Sequence, residues 1–399
     1  MRTALEIVFW VSAGLIAWTQ AGYAVALALL ARLLAPVQSK LARRPAPGSA
    51  PTASLPSISL IVAAHDEELV IAAKVKNALA LDYPRARLEL IVACDGCSDA
   101  TAERSREAGA DVVLELPRGG KIRAQDAAVR IARGEIVAFS DANALWERDA
   151  AQALVGAFAE ERVGYACGQV RFTAPIVDSS APDAGATNQE GIYWRYELAV
   201  RALESRLSSI TAGNGAIYAM RREDYIVVDP IMGHDLSFPF NMVKRGWRAV
   251  YVPGAKASEK MVPSIEGELA RKRRMMSHTW PIVLRGGMLS PRGYGVGYAL
   301  MILSHRVLRY STAFLHALAL GANVALVAVG IGPTHPVYIA LLALQLLLLA
   351  LAWLGGIVKV RPLLVVRYYV LTTASLALGL WDWLRHGTSA AWEAAEGTR

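Results

Sequence analysis

The sequence predicts an α/β domain, built on a mostly parallel sheet with helices on both faces, carried by membrane-spanning helices. Three observations predict it. Charge-free apolar runs long enough to cross a bilayer lie near both ends of the chain. Between residues 57 and 140, short apolar runs alternate with helical stretches, the order that builds a parallel sheet. Apolar residues make up 54% of the 399, above the roughly 45–50% usual for a soluble domain, and the excess is concentrated in the end runs.

The first run, Ile7 to Leu30, is uncharged and long enough for a hydrocarbon core of roughly 30 Å. It continues to Leu34, longer than the apolar stretch of a cleaved signal peptide, so it reads as an anchor. Arg32, Lys40, Arg43 and Arg44 follow and place that flank in the cytosol. Residues 45–56 (PAPGSAPTASLP) read as a linker. Strands are expected at Ser57–Ala64, Leu88–Cys94, Asp111–Leu116 and Glu135–Ser140. The first, second and fourth are near-continuous apolar runs, as in strands covered on both faces. Helices are expected at Glu67–Leu81, Asp99–Ala108, Lys121–Arg133 and Gln189–Ser209.

Beyond Trp280 the chain turns apolar again. Met288–Tyr310 ends with His305, Arg306 and Arg309 and reads as an amphipathic helix in the cytosolic interface. Spans are expected at Ser311–Gly332, Val337–Val358 and Pro362–Leu384, with Lys359 and Arg361 at a cytosolic turn. Four spans leave both termini outside the cytosol. The net charge of +8 is then accounted for by basic residues holding loops on the cytosolic side, with no nucleic-acid partner. Three cysteines give no disulfide framework. Cys94 and Cys97 form a C-x-x-C, but no second pair or neighbouring His pair completes a zinc site.

Ligands on a parallel sheet bind at the carboxyl ends of strands. Three of those ends carry acids: His65-Asp66-Glu67, Asp95-Gly96-Cys97 and Asp141-Ala142-Asn143. A bare diphosphate would be repelled there. The acids fit a divalent cation that bridges to phosphate, or hydrogen bonds to a base or ribose. Asp141 and Asn143 suit Mg²⁺ or Mn²⁺ as two oxygen ligands, and Lys121, after Gly119-Gly120 at a helix start, suits phosphate or base. Each of these taken singly is equally a helix cap.

Residues 57–286 resemble the family-two glycosyltransferases with the GT-A fold. SLIVAAHDEE is similar to their first strand and nucleotide loop, VACDGCSDATAE to the segment whose Asp contacts uracil, and LPRGGKIRAQDAA to the donor-binding lysine segment. VAFSDANALWERDAA is similar to the metal-binding D-x-D region. SITAGNGAIYAMRR is similar to the loop under the acceptor pocket, and GHDLSFPFNMVKRGWRAVYVPGAKASE to the segment with the catalytic base. The resemblance implies donor binding by Asp66, Glu67, Asp95, Lys121, Asp141, Arg271 and Arg274. It implies acceptor binding by Gly213, Asn214, Gly215, His234 and Trp280, a Mg²⁺ or Mn²⁺ site at Asp141 and Asn143, and Asp235 as base.

Three positions depart from the family pattern: Asn143 for the second metal Asp, His234 for the acid before the base, and Arg271-Lys272-Arg273-Arg274-Met275 for the Q-x-x-R-W of processive members. The implied reaction is an inverting transfer from a nucleotide-diphosphate sugar, UDP-linked, to a growing polysaccharide that is exported. The degraded Q-x-x-R-W favours the alternative, one sugar added to a lipid or lipid-linked acceptor. A catalytically weak binding protein is the third reading. The expected organisation is an anchor (1–36), a linker (37–56), a GT-A-like domain (57–286), an interfacial helix (287–310), three spans (311–385) and a tail (386–399). This places the chain among the lipids of a bacterial inner membrane, with its catalytic domain in the cytosol.

Overall fold

The computed structural model describes residues 1–41, 55–173, 184–260, 265–330 and 335–390. Most of the linker expected at 45–56, with Arg43 and Arg44, lies outside those residues. So do residues 333 and 334 of the turn at 333–336 and the end of the tail.

The chain opens with α1 (Arg2–Ala17), a π turn (Trp18–Gly22) and α2 (Tyr23–Leu41). The catalytic-domain sheet has eight strands: β1 (Ile58–Ala64), β2 (Leu88–Asp95), β3 (Val112–Leu116), β4 (Ile136–Asp141), β5 (Leu145–Trp146), β6 (Val163–Thr173), β7 (Tyr218–Arg221) and β8 (Arg248–Lys260). Their order is β3-β2-β1-β4-β7-β6-β8-β5. The first four strands pair in parallel, while β7 runs antiparallel between β4 and β6. Every residue of β1 is buried, as its unbroken apolar run requires. One apolar layer, with Leu60, Val62 and Leu90, lies on one face of the sheet. A second, with Ile61, Phe139 and Tyr218, lies on the other.

The connecting helices are α3 (Ile71–Leu79), α4 (Thr101–Glu107), α5 (Lys121–Ile131), α6 (Ala150–Gly156), α7 (Ala184–Leu207), α8 (His234–Lys244) and α9 (Ile265–Leu284). The helix expected from Glu67 begins at Ile71. The Glu67 carbonyl first accepts the amides of Val70 and Ile71, so the chain turns before it coils.

Past α9, α10 (Val296–Met301) runs into a second π turn, Ile302–Leu308, followed by α11 (Thr312–Val329), α12 (His335–Ile357) and α13 (Arg361–His386). Residues 2–35, 312–329, 335–357 and 361–386 form helices long and apolar enough to cross a membrane, by length and composition. Phe9 packs with Ala319, Ala322, Leu326 and Tyr338, which joins the first of these to α11 and α12.

Two expectations about this region are corrected. His305 and Arg306 do not face an interface. Both are buried: His305 lies against Glu197 and Glu204 of α7, and Arg306 Nε bonds Thr211 Oγ1, because a polar group at that depth needs a partner. The described start of the tail, residues 387–390, also stays on the domain that carries the sheet. Trp280 Nε1 donates to Leu376 O (2.8 Å), and Gly379 lets α13 approach α9 so closely that a Cβ would lie 2.8 Å from Arg273 O. The Arg273 guanidinium pairs with both oxygens of Asp382 (2.5 and 2.6 Å). Thr388 Oγ1 then donates to Ser277 O (2.8 Å), and the Ala390 backbone rests against Gly120. Residues 387–390 therefore lie on the catalytic domain.

Candidate active site

The carboxyl ends of β1 and β2 are tied together by loop hydrogen bonds. Asp66, whose φ of 50° is rare for a residue with a side chain, accepts from Ser98 N (2.7 Å). Glu67 N donates to Thr101 Oγ1 (2.8 Å), and Glu68 N to Asp99 Oδ2 (3.0 Å). His65 Nδ1 sits 2.8 Å from Asp95 O. These bonds make one rigid rim from two loops remote in sequence.

Asp95 is almost fully buried. Its carboxylate accepts the amides of Gly119 (2.6 Å) and Gly120 (2.9 and 3.0 Å), and its Oδ2 lies 3.2 Å from Arg118 Nη1. The expected acceptor for a base N–H is thus committed to the glycine loop. That loop presents Lys121 at the start of α5, where Lys121 Nζ pairs with Asp141 Oδ1. Burial alone would lower the Lys121 pKa, but Asp141, Asp235 and Glu259 together raise it.

Four expected residues are therefore brought together with one that sequence reasoning missed. Lys121 and Asp141 are in contact, and a Cβ on Gly215 would lie 3.3 Å from Lys121 Nζ. Asp235 is close enough for its charge to act on Lys121, as is Glu259, the missed residue, near the end of β8. Burial, then Asp141, push the Glu259 carboxyl up to about 7, against the pull of Lys121, Arg271 and Lys74. Lys74 was also missed. It is fully buried, and burial pushes it down to about 7; its Nζ donates to Ala144 O (2.6 Å) and so props the turn that carries Asn143. Neither carried a sequence signal, since both lie inside ordinary strand and helix patterns.

Asp235 sits in the first turn of α8, where the exposed helix amides favour an anion. Its carbonyl accepts Gly213 N (2.7 Å), and Arg201 Nη2 holds Gly213 O (3.0 Å). Beyond it, His278 lies within the electrostatic reach of both Arg274 and Asp235, and Arg274 is exposed. Arg271 makes a two-bond pair with Glu268 (2.7 and 2.8 Å) on the same helix.

Three expected acceptor residues are not brought to the site. His234 is buried with Nδ1 2.9 Å from Tyr218 Oη and Nε2 3.4 Å from Tyr225 Oη, stacked on Phe238 at 4.0 Å. Burial, and then Lys121, hold its pKa well below 6.5, so the ring is neutral where it packs. Asn214 spends its amide inside the fold. Its Nδ2 donates to Gly168 O (2.7 Å) and its Oδ1 accepts from Ile217 N (2.9 Å). Trp280 is buried against Tyr310 and Phe314 and bonds α13.

With this geometry in view, the sequence matches the model of the family described as glycosyltransferase like family 2 over residues 56–277. The chain belongs to that family. As a family 2 glycosyltransferase it is 36% identical over 118 residues to the beta-monoglucosyldiacylglycerol synthase of Trichormus variabilis, which is 28% of this chain and 25% of that one. It is 32% identical over 126 residues to the probable glycosyltransferase YdaM of Bacillus subtilis, covering 29% and 30% of the two chains. The alignments thus span only a quarter to a third of these relatives. The fold resembles that of mannosyltransferase PcManGT from Pyrobaculum calidifontis, solved with GDP-Man and Mn²⁺. The TM-score is 0.63 and the identity 22%, covering 93% of this chain and 99% of that one. The GT-A-like fold with apolar helices is that expected from the sequence.

Proposed function

We propose that this family 2 glycosyltransferase moves one sugar from a nucleotide-diphosphate donor to a lipid or lipid-linked acceptor at a membrane surface, by inverting displacement. The observation that carries the reading is the cluster of Lys121, Asp141, Asp235 and Glu259. The acceptor hydroxyl passes its proton to Asp235 as its oxygen forms the new bond to the anomeric carbon. The bond from that carbon to phosphate breaks on the opposite face, and the nucleoside diphosphate leaves towards Lys121 and Arg274.

A hard divalent cation fits the cluster. Asp141 raises the cost of ionising Glu259, and carboxylate and amide oxygens are the ligands Mg²⁺ and Mn²⁺ prefer. Asp141, with Asn143 or Glu259, would hold it, and its charge would stabilise the departing diphosphate. A solved structure of similar fold carries GDP-Man and Mn²⁺, in keeping with this reading.

A lipid acceptor is favoured over an exported polymer by the helices. The α13 helix runs along α9 and returns its tail to the catalytic domain, so it is read as interfacial. That leaves three spans, too few to wall a polysaccharide channel, with the catalytic domain and both ends of α13 on the cytosolic side. A groove of about 380 Å³ between α9 and α13, lined by Leu269, Arg274 and Leu378 among others, suits an amphiphile's entry. The lipid-glucosylating relative is in keeping with it. Membranes holding the protein, incubated with labelled UDP- and GDP-sugars with and without Mn²⁺, should give an organic-extractable product carrying one sugar. High-mass polymer as the main product would overturn the acceptor reading. No transfer from any donor would overturn the whole.

A further inference from the structure

A buried charged cluster lies outside the site just described. Glu197 and Glu204 stand on α7, and His305 and Arg306 on the π turn at 302–308; all four are nearly inaccessible to solvent. Removing such ions from water costs several kcal/mol each unless every one is paired and bonded. His305 Nδ1 lies 2.7 Å from Glu204 Oε1 and its Nε2 3.4 Å from Glu197 Oε2; Arg309 Nη2 is 3.0 Å from Glu197 Oε1. Burial opposes ionisation of both glutamates, yet the basic side chains facing them hold Glu197 well below, and Glu204 below, the ordinary carboxylate value.

From this cluster a chain of hydrogen bonds leads to the proposed base. Tyr23 Oη, on the first membrane helix, donates to Glu204 Oε1 (2.7 Å). Glu204 Oε2 accepts both Thr211 N and Thr211 Oγ1 (3.0 Å each), and Arg306 Nε donates to Thr211 Oγ1 (2.8 Å). Two residues on, Gly213 N donates to Asp235 O (2.7 Å). The loop at 211–215 is thus held from the membrane side at Thr211 and holds the backbone of Asp235 at Gly213.

The two membrane-side segments share a device. Trp18–Gly22, just before Tyr23, and Ile302–Leu308, which carries His305 and Arg306, are both π turns, and they touch. A π turn inserts one residue into a helix and re-aims its side chains, and it concentrates at functional sites. Here each turn delivers polar groups from an apolar helix into the catalytic domain. Packing alone does not call for them, since a buried ion cluster replaced by apolar residues is often as stable or more so.

We infer that Glu204 is a positioning residue for sugar transfer, and that Tyr23 and Arg306, acting through Glu204 and Thr211, make the membrane helices set the loop at 211–215 against Asp235. This rests on the reading of Asp235 as the base.

The test uses the full chain in lipid nanodiscs. Tyr23→Phe removes one hydroxyl and Thr211→Val one hydroxyl of equal bulk; Thr211→Ser keeps the hydroxyl. Hydrogen exchange of the peptide covering 209–215 reads the loop, and transfer kinetics read its effect. Tyr23→Phe and Thr211→Val should speed loop exchange and lower kcat, each by about tenfold, the worth of one hydrogen bond to a charged group. Donor KM and exchange in β1 should not move, and Thr211→Ser should retain kcat. Unchanged loop exchange and kcat in both variants would overturn the inference, as would exchange accelerated equally in β1, which marks a merely structural role. A fully active Asp235→Asn protein would instead overturn the base reading, while loop exchange in Tyr23→Phe would still report whether the membrane helix holds the loop.

Discussion

Gly213→Ala tests how tightly the acceptor loop is set. A Cβ at Gly213 would collide with Tyr165 Oη and lie 3.0 Å from its Cζ and 3.2 Å from its Cε1. Carbon atoms rest comfortably at about 3.5–4.0 Å, so the loop must retreat by roughly 1 Å or the buried ring must turn. Overpacking of this kind costs about 1–3 kcal/mol. The same retreat drags the Gly213 N–H that holds Asp235 O, and a 1 Å misplacement near the chemistry costs on the order of 10²-fold in rate. Among the described residues Tyr165 Oη makes no hydrogen bond, so Tyr165→Phe alone should be neutral or slightly stabilising. In the double variant the oxygen clash is gone and only the 3.0 Å carbon contact remains, so most of the lost rate and melting temperature should return. Thermal melts and transfer rates for the four proteins close the cycle. A Gly213→Ala protein with wild-type kcat, or one that Tyr165→Phe does not rescue, would refute the reasoning.

Other outcomes are equally open to measurement. Asp235→Asn should lower transfer by roughly 10²–10⁴-fold while donor affinity, read by calorimetry, stays put. His234→Ala should instead lower the melting temperature, since it leaves the Tyr218 and Tyr225 hydroxyls without their ring nitrogens, and should not shift the pH profile of kcat. Asn143→Asp should lower the Mn²⁺ concentration for half-maximal transfer by adding a negative ligand; an unchanged midpoint removes position 143 as a ligand. In metal-free protein, Glu259 binds its proton up to about pH 7 when folded but only to about 4.5 when unfolded. Its contribution to stability is therefore present below pH 4.5 and lost as pH rises towards 7, and Glu259→Gln should flatten that slope in thermal melts.

The sheet was legible because apolar runs bounded by Asp66, Asp95 and Asp141 leave few alternatives to a parallel α/β core. Lys121 and Asp141 were both legible as site residues, one at a helix start and one at a strand end, but their direct pairing was not. Other residues carried the same letters to a different end. Asp95 turned to the amides of its neighbouring loop, His234 was enclosed by Phe139, Tyr218 and Phe238, and Trp280 faced α13. A motif fixes where a residue sits along the chain, whereas its side chain's direction depends on partners dozens of residues away. The contacts of the last helix with the sheet-bearing domain were not legible for a similar reason. Hydropathy records how apolar residues 361–386 are, but the Arg273–Asp382 pair that draws them to the catalytic domain joins positions 109 residues apart.

Gly120 has a φ of 96°, and a Cβ there would lie 2.7 Å from the carbonyl carbon of Ala390, so that residue is seated where only a glycine leaves room. One position thus meets two demands at once: the turn that presents Lys121 needs a positive φ, and the Ala390 backbone needs the space that a side chain would fill. The segment after the last helix and the lysine of the donor side are therefore coupled through a single residue that has no side chain of its own.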